Sequence, residues 1–204
     1  MNCKKCKKPL HTYKLLTDKG VESIDLCATC QANELDKFQQ ANQRILGAIL
    51  ERNNVPKRYW TANRYTAGMQ NSDLRLIERF DKGIYFYGTM NLFAEKQLVA
   101  WLKWALMQGK TVQYIDWSDW LCELKANLNN YIAIRNKYTQ ADCLFISGFE
   151  VGGQYVSDYT YNFLNHVYKN NKTVYLYSEN LVWQDRYACR LSEMTFQYEL
   201  VKNG

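Results

Sequence analysis

From residue 83 onward, apolar residues fall into short unbroken runs that alternate with longer stretches of helical spacing. Residues 84–87, 111–116, 143–146, 173–177 and 196–201 predict strands, and residues 92–107, 118–128, 155–169 and 182–191 predict helices. Runs that are apolar at successive positions, rather than every second one, belong to strands covered on both faces. Strands alternating with helices predict an α/β fold with a parallel sheet. The two prolines, Pro9 and Pro56, lie outside all of these elements, and no repeat or low-complexity stretch interrupts them.

The first third has a different pattern. Residues 11–16 and 21–26 are strand-like around a turn at 17–20, which predicts a hairpin. In residues 31–53, Leu35, Phe38, Ala41, Ile45, Ala48 and Ile49 recur at spacings of three and four, as on one face of a helix. Asn53 and Asn54 end that helix, and Pro56 keeps it from restarting. A basic, aromatic connector follows, NVPKRYWTANRYTAG at 54–68. The chain thus divides into a module at 1–53, a linker at 54–68 and an α/β core at 69–204.

Composition fits a soluble globular protein, with 47% hydrophobic and 23% charged residues in a chain of 204. No apolar run approaches the roughly 18 to 20 residues that cross a bilayer. The opening MNCKKCKKPL has no apolar core after its lysines, so no secretory signal is expected, and the expected compartment is the cytoplasm. Charge changes the picture more. The formal net charge is +6, and residues 69–204 hold fourteen groups of each sign, so the whole excess lies in the first third. That asymmetry points to an acidic partner, nucleic acid or protein, near the module or linker, with a solvated lysine cluster as the alternative.

Cys3 and Cys6 form one C-x-x-C pair and Cys27 and Cys30 another, with twenty residues between them. Two such pairs on facing turns supply four tetrahedral thiolate ligands, and the lysines at 4, 5, 7 and 8 favour the thiolate form. The expected site is one structural zinc ion in a zinc-ribbon hairpin, because four protein ligands leave no open position for chemistry. A redox dithiol is the rival reading, and His11 is an alternative ligand. Cys122, Cys143 and Cys189 are expected to be small buried hydrophobes.

Candidate chemistry in the core is thin. His166 sits on a predicted helix near Phe163 and Tyr168, where a packing or surface role is expected. Asp116 and Asp119 look like strand-end and helix-start acids beside core tryptophans, and Trp101, Trp104, Trp117 and Trp120 are expected in the core.

The module, helix, connector and α/β core together resemble the replicative helicase loaders of bacteria and their phages, the DnaC/DnaI type of the AAA+ class. Val55-Pro56-Lys57-Arg58-Tyr59 is similar to the loader connector I-P-x-R-[YF]. GIYFYG at 83–88 resembles the strand before the loader phosphate loop, and LMQGKTVQYIDW at 106–117 the segment leading into the next strand. ADCLFISGFE at 141–150 resembles the Walker B strand, TVYLYSENL at 173–181 the sensor strand, and DRYACRL at 185–191 the arginine-finger segment. The resemblance implies an AAA+-like parallel sheet of strand order 5-1-4-3-2 flanked by helices, preceded by the zinc-ribbon module and its helix.

Departures from the family pattern concentrate at the nucleotide site. The loop begins at Gly88, but Phe93 stands for its second glycine, Ala94 for the lysine and Glu95 for the magnesium-holding Ser/Thr. Ser147 and Gly148 stand for the two Walker B acids. The missing lysine charge, hydroxyl and acids are the groups that hold phosphates and Mg²⁺, so neither bound nucleotide nor ATPase activity is expected. A retained turn filled by Met90, Leu92 and Phe93 is expected instead. Arg190 matches the finger position, and Arg186, four residues earlier, shares its helix face. With no nucleotide of its own kind to act on, Arg190 is expected to be a structural ion-pair residue.

The resemblance implies a DNA-replication protein that binds a hexameric replicative helicase of the DnaB type without ATP hydrolysis, and allows contact with single-stranded DNA and self-association. It implies no membrane. Lys57, Arg58, Tyr59, Trp60, Arg64 and Tyr65 are the better candidates for DNA stacking and phosphate contact. Lys125, Arg135 and Lys137, which lie where loaders carry an inserted helical motif, are weaker DNA-binding candidates. The alternatives are a decoy or inhibitor of the helicase or loader, an ATPase rebuilt around Glu95, Lys96 and Glu150, and a zinc-containing nucleic-acid-binding adaptor unrelated to loaders.

Overall fold

The computed structural model describes residues 2–4, 6–17, 20–27, 29–62, 82–89, 91–151, 153–182 and 185–200. For Asn33, Glu34, Leu35, Phe38, Asn91, Gln154, Tyr155 and Asp185 only the backbone is described.

β1 (His11–Thr17) and β2 (Gly20–Leu26) pair antiparallel, with His11 opposite Leu26 and Thr17 opposite Gly20. A lone hairpin is marginal in water, and within these strands only Leu16 and Leu26 are buried. The pair leans on α1 (Ala32–Arg52), where Asn42 Oδ1 accepts from the Leu16 N–H at 2.9 Å. The packed stripe of α1 is carried by Leu46, Ile49 and Leu50, while Ala41 and Ala48 are exposed, so the buried face is turned from the predicted one.

The core contains β3 (Gly83–Tyr87), α2 (Asn91–Met107), β4 (Val112–Asp116), α3 (Trp117–Ala126), α4 (Tyr131–Tyr138), β5 (Cys143–Ser147), α5 (Gln154–Lys169), β6 (Thr173–Ser178), α6 (Asp185–Met194) and β7 (Thr195–Glu199). All strand pairs in the core sheet are parallel, in the order β4-β5-β6-β3-β7. Read from β7 and numbered within the core, this is 5-1-4-3-2.

Side-chain alternation divides the core into two layers. Ile84, Phe86, Phe145, Tyr175 and Tyr177 face α2, and Tyr85, Leu144, Ile146, Val174 and Leu176 face α3, α5 and α6. Phe145 and Tyr175 stack at 4.7 Å, and Trp101 stacks on Tyr175 at 5.6 Å. In the other layer Trp117 and Trp120 stack at 4.3 Å against Phe163. Such pairs add about 0.5–1.5 kcal/mol each beyond simple burial. The expected core role of Trp101, Trp117 and Trp120 is observed, and Trp104 is half-buried, edge-on to Trp101.

Three helices end alike. Asn54, Gly109 and Asn171 adopt positive φ just past α1, α2 and α5. In each case the next residue's N–H reaches back to the helix: Val55 to Leu50, Lys110 to Ala105 and Lys172 to Val167. This Schellman closure turns the chain out of the helix and into its next segment. Two boundaries differ from expectation. The helix starting at Trp117 stops at Ala126, and α4 forms a separate helix, because Asn127, Asn129 and Asn130 favour caps and turns over helix interiors. α6 begins at Asp185, because the Val182 N–H donates to the Tyr85 hydroxyl at 3.0 Å.

Part of the linker is a packed element. Val55, Tyr59 and Ala62 are buried against α2, and Lys103 Nζ donates to the carbonyls of Trp60 and Ala62 at 3.0 and 2.7 Å. Asn53 joins the module to the sheet edge, where its Oδ1 accepts from the Tyr114 N–H at 3.2 Å. Lys14 of the hairpin reaches the end of α2, at Met107 O and Gln108 Oε1. No helix among the described residues is long and apolar enough to cross a membrane.

Candidate functional site

In an open parallel sheet, ligands bind beyond the carboxyl ends of the strands. Here those ends are Gly88, Asp116, Ser147 and Ser178. Gly88 has φ +128°, and a Cβ there would lie 2.5 Å from the Leu200 carbonyl oxygen, so only glycine fits. The Leu200 N–H donates to Tyr87 O at 2.7 Å, which draws the chain after β7 over the turn. The Gly88 N–H donates to Ser178 O, and the Tyr177 hydroxyl donates to Gly88 O at 3.0 Å. The glycine's polar groups are thus engaged by the protein itself.

Beyond the turn, Ala94 is fully buried and Phe93 half-buried. Leu92 is 64% exposed, which corrects the expectation that it fills the turn, and Met90 lies outside the described residues. Glu95 is 9% exposed. It does not project as a free charge of the wrong sign. Its carboxylate accepts from the Ser147 hydroxyl through one oxygen and from the Tyr114 hydroxyl, at 2.8 Å, through the other. Burial pushes the Glu95 carboxyl above its ordinary value, against the Ser147 and Tyr114 hydroxyls; nearby Asp116 raises it further and Arg58 lowers it. Burial and the Glu95 charge push the Tyr114 hydroxyl upward in turn. Sequence reasoning missed Tyr114 and Tyr177, because strand tyrosines carry no motif. The one available signal was the loss of Ser/Thr on the helix together with its gain on the strand.

At the positions matched to the loop lysine and hydroxyl this chain has Ala94 and Glu95, and Glu95 is already paired. The residues do not fit a magnesium nucleotide. Lys96 and Glu150, the other candidates for a rebuilt pocket, are exposed, and the Glu150 carbonyl accepts from Trp117 Nε1. At the sensor position, Glu179 and Asn180 are exposed, and the Asn180 carbonyl accepts from Tyr85 and Ser178.

The cysteine site is of the opposite kind. The sulfurs of Cys3, Cys6, Cys27 and Cys30 all lie within 4.8 Å of one another, with Cys6 and Cys27 at 3.3 Å. Four sulfurs about 2.3 Å from a central ion sit at nearly this separation, so the group fits a metal ion. The first turn is closed by Cys3 N–H to Lys8 O and Lys7 N–H to Cys3 O, with Lys7 at φ 60°. The second is closed by Gln31, whose side chain accepts from the Cys27 N–H at 2.8 Å. The backbone N–H of Cys30, then the Cys6 thiol, draws Cys27 down to about 6, while the hydrogen bond to Cys6, then partial burial, pushes the half-buried Cys30 up to about 12. A bound cation would hold all four as thiolates. His11 is exposed and outside this cluster. Of the other cysteines, Cys143 is buried, but Cys122 and Cys189 are exposed, contrary to expectation.

The remaining candidates are dispersed. Arg186 pairs with Asp158 at 2.8 Å and lies over Tyr161 and Tyr187; Arg190 pairs with Glu193 at 2.7 Å and lies over Tyr168. Tyr59, a stacking candidate, is a core side chain, with Arg58 over its ring. Trp60 is half-buried, its Nε1 donating to Val55 O, and exposed Lys57 lies over its ring. Arg64 and Tyr65 lie outside the described residues. Lys125 is exposed, Arg135 bonds Asn136, and Lys137 pairs with Glu123 at 2.8 Å. His166 is half-buried beside Asn170, and burial lowers its pKa.

A five-stranded parallel sheet in this order, with helices on both faces and a glycine turn between the first core strand and its helix, defines an AAA+-like α/β fold. Solved structures agree. The chain is similar to a putative primosome component from Streptococcus pyogenes serotype M3, at TM-score 0.56 and 18% identity over 76% of this chain and 95% of that one. It is similar to the DnaC helicase loader, at TM-score 0.53 and 16% identity over 72% and 100%. AMPPCP-bound DnaA from Aquifex aeolicus matches at TM-score 0.52 and 18% identity over 63% of this chain, which spans only 45% of that DnaA chain. No protein-family model matches the chain, and a search of the curated proteins found no match.

Proposed function

We propose that this protein is a replication factor of the helicase-loader type that works by binding a hexameric replicative helicase, without hydrolysing ATP. One observation carries the second half of this reading: the position that would hold magnesium in a phosphate loop is Glu95, buried and bonded to Ser147 and Tyr114. The first half is supported by the fold shared with the DnaC helicase loader and by a cysteine module joined to it through α1. In this reading the cysteines hold one structural zinc ion, and the module grips the helicase. Exposed Lys57 and Arg58, with half-buried Trp60, would offer a strip for single-stranded DNA where the connector leaves α1.

The test is capture of a DnaB-type helicase by the intact chain and by a chain lacking residues 1–52. The intact chain should retain helicase and the shortened one should not; no capture by the intact chain would overturn the reading. Calorimetric titration with ATP and Mg²⁺ should show no binding in the micromolar range. In a loading assay, stimulation fits a loader, whereas dominant inhibition would assign the same contacts to a decoy.

A further inference from the structure

In phosphate-binding loops the hydroxyl stands on the helix and the acid on a neighbouring strand, with a metal ion and phosphate between them. This chain carries the two groups exchanged. The acid, Glu95, is on α2 and the hydroxyl, Ser147, is at the end of β5, and they bond directly. The bond continues outward in both directions from the carboxylate. Tyr114 on β4 donates its hydroxyl to the second oxygen of Glu95, and the Tyr114 backbone N–H donates to Asn53 at the end of α1. Glu95, Ser147, Tyr114 and Asn53 are all buried, so no link in this series competes with bulk water.

We propose that Asn53, Tyr114, Glu95 and Ser147 form a built-in strut that replaces a metal–nucleotide as the tie between α2 and β5 and extends that tie to the N-terminal helix. The strut holds the module and core in one arrangement regardless of nucleotide. It rests on the reading of residues 88–95 as a site without nucleotide. Each of the three bonds links two members of the series, and Asn53 is tied back into α1 through Ile49 O. Removing one hydroxyl therefore leaves a buried acceptor without its partner and loosens the neighbour as well. Asn53 is the point of exit, because it closes α1 and the β4 edge at once.

The experiment is amide hydrogen exchange and thermal melting on the full, metal-loaded chain, comparing Ser147→Ala, Tyr114→Phe, the double variant, and the exchanged pair Glu95→Ser with Ser147→Glu. Ser147→Ala and Tyr114→Phe should each speed exchange about 10-fold, both in residues 94–98 and around Asn53 in residues 50–55. Their melting-temperature losses, about 3 °C each, should be less than additive in the double variant, and the exchanged pair should recover most of the loss. Additive losses, or faster exchange confined to residues 94–98, would overturn the strut. Adding ATP and Mg²⁺ separates the two claims. Slower exchange at residues 88–95 on addition would sink the nucleotide-free reading, whereas coupling among the four residues is measured without nucleotide.

Discussion

The cysteine module and the glycine turn of the core are opposite cases of a site and its scaffold. In the module four ligand atoms converge within 4.8 Å, but the hairpin that carries them buries only Leu16 and Leu26 among its strand residues. In the core the scaffold is complete, with a five-stranded sheet and aromatic layers on both faces, and at its strand ends Glu95, Ser147 and Tyr114 are bonded to each other. The module has converging ligands on a thin scaffold, and the core has a full scaffold whose strand-end groups bond to one another. A small unit without an apolar core needs a cross-link or metal to fold. A sheet packed on both faces is held by its own apolar layers.

The largest test of this contrast is metal removal. On the proposal that the quartet holds one structural zinc ion, chelation, or Cys27→Ser, should unfold the hairpin and release that ion while the core keeps its melting transition; structural zinc in small domains contributes roughly 10–16 kcal/mol. Metal content and near-ultraviolet circular dichroism follow the two units separately. Loss of the core transition on chelation would show that the core, too, depends on the metal. The converse is Phe163→Ala, which removes a ring packed against Trp117 and Trp120. It should destabilise the core by about 3–5 kcal/mol in denaturant titration and leave the metal content at one ion.

A smaller effect comes from Glu95. Its folded-state pKa is raised above the ordinary 4.5. The native state therefore binds more protons than the unfolded state between the two values, and stability falls as pH rises through that window. Glu95→Gln should flatten this slope, as read from denaturant midpoints across pH 4 to 8 in about one-unit steps. An unchanged slope would show that the Glu95 carboxylate is hydrated in the folded chain. The smallest is Asn54, at φ 55° where α1 closes. Asn54→Ala should cost about 1 kcal/mol and Asn54→Gly should be neutral or slightly stabilising, measured by thermal melting.

Legibility followed the same division. The parallel α/β core, its five strands and most helix limits could be read from apolar runs and helical spacing, because burial on both faces leaves a pattern that needs no partner to interpret. The cysteine quartet was legible because ligand type and spacing are local. The connector misled: Tyr59 is aromatic and flanked by Lys57 and Arg58, which reads as a stacking surface, yet it is buried against α2. Nothing local distinguishes an aromatic that faces nucleic acid from one that faces a helix about forty residues onward in the chain. The expected stripe of α1 failed for a related reason. Ala41 and Ala48 satisfy the spacing, but Leu46 and Leu50 offer more apolar surface, and the helix turned that side to the core.

Residue type and spacing alone place four cysteines in two matched pairs, because ligand number is a property of the residues themselves. The match of Ala94 and Glu95 to the cation and hydroxyl positions of a phosphate loop comes from the loader resemblance. How Glu95 is used is set by the tertiary structure alone. Glu95, Tyr114, Ser147 and Asn53 come from four different elements, and their bonds span 19 to 61 positions in the chain. Whether a glutamate there is a repelling charge or a bonded strut depends on which side chains the folded sheet brings to it and on how much water it excludes.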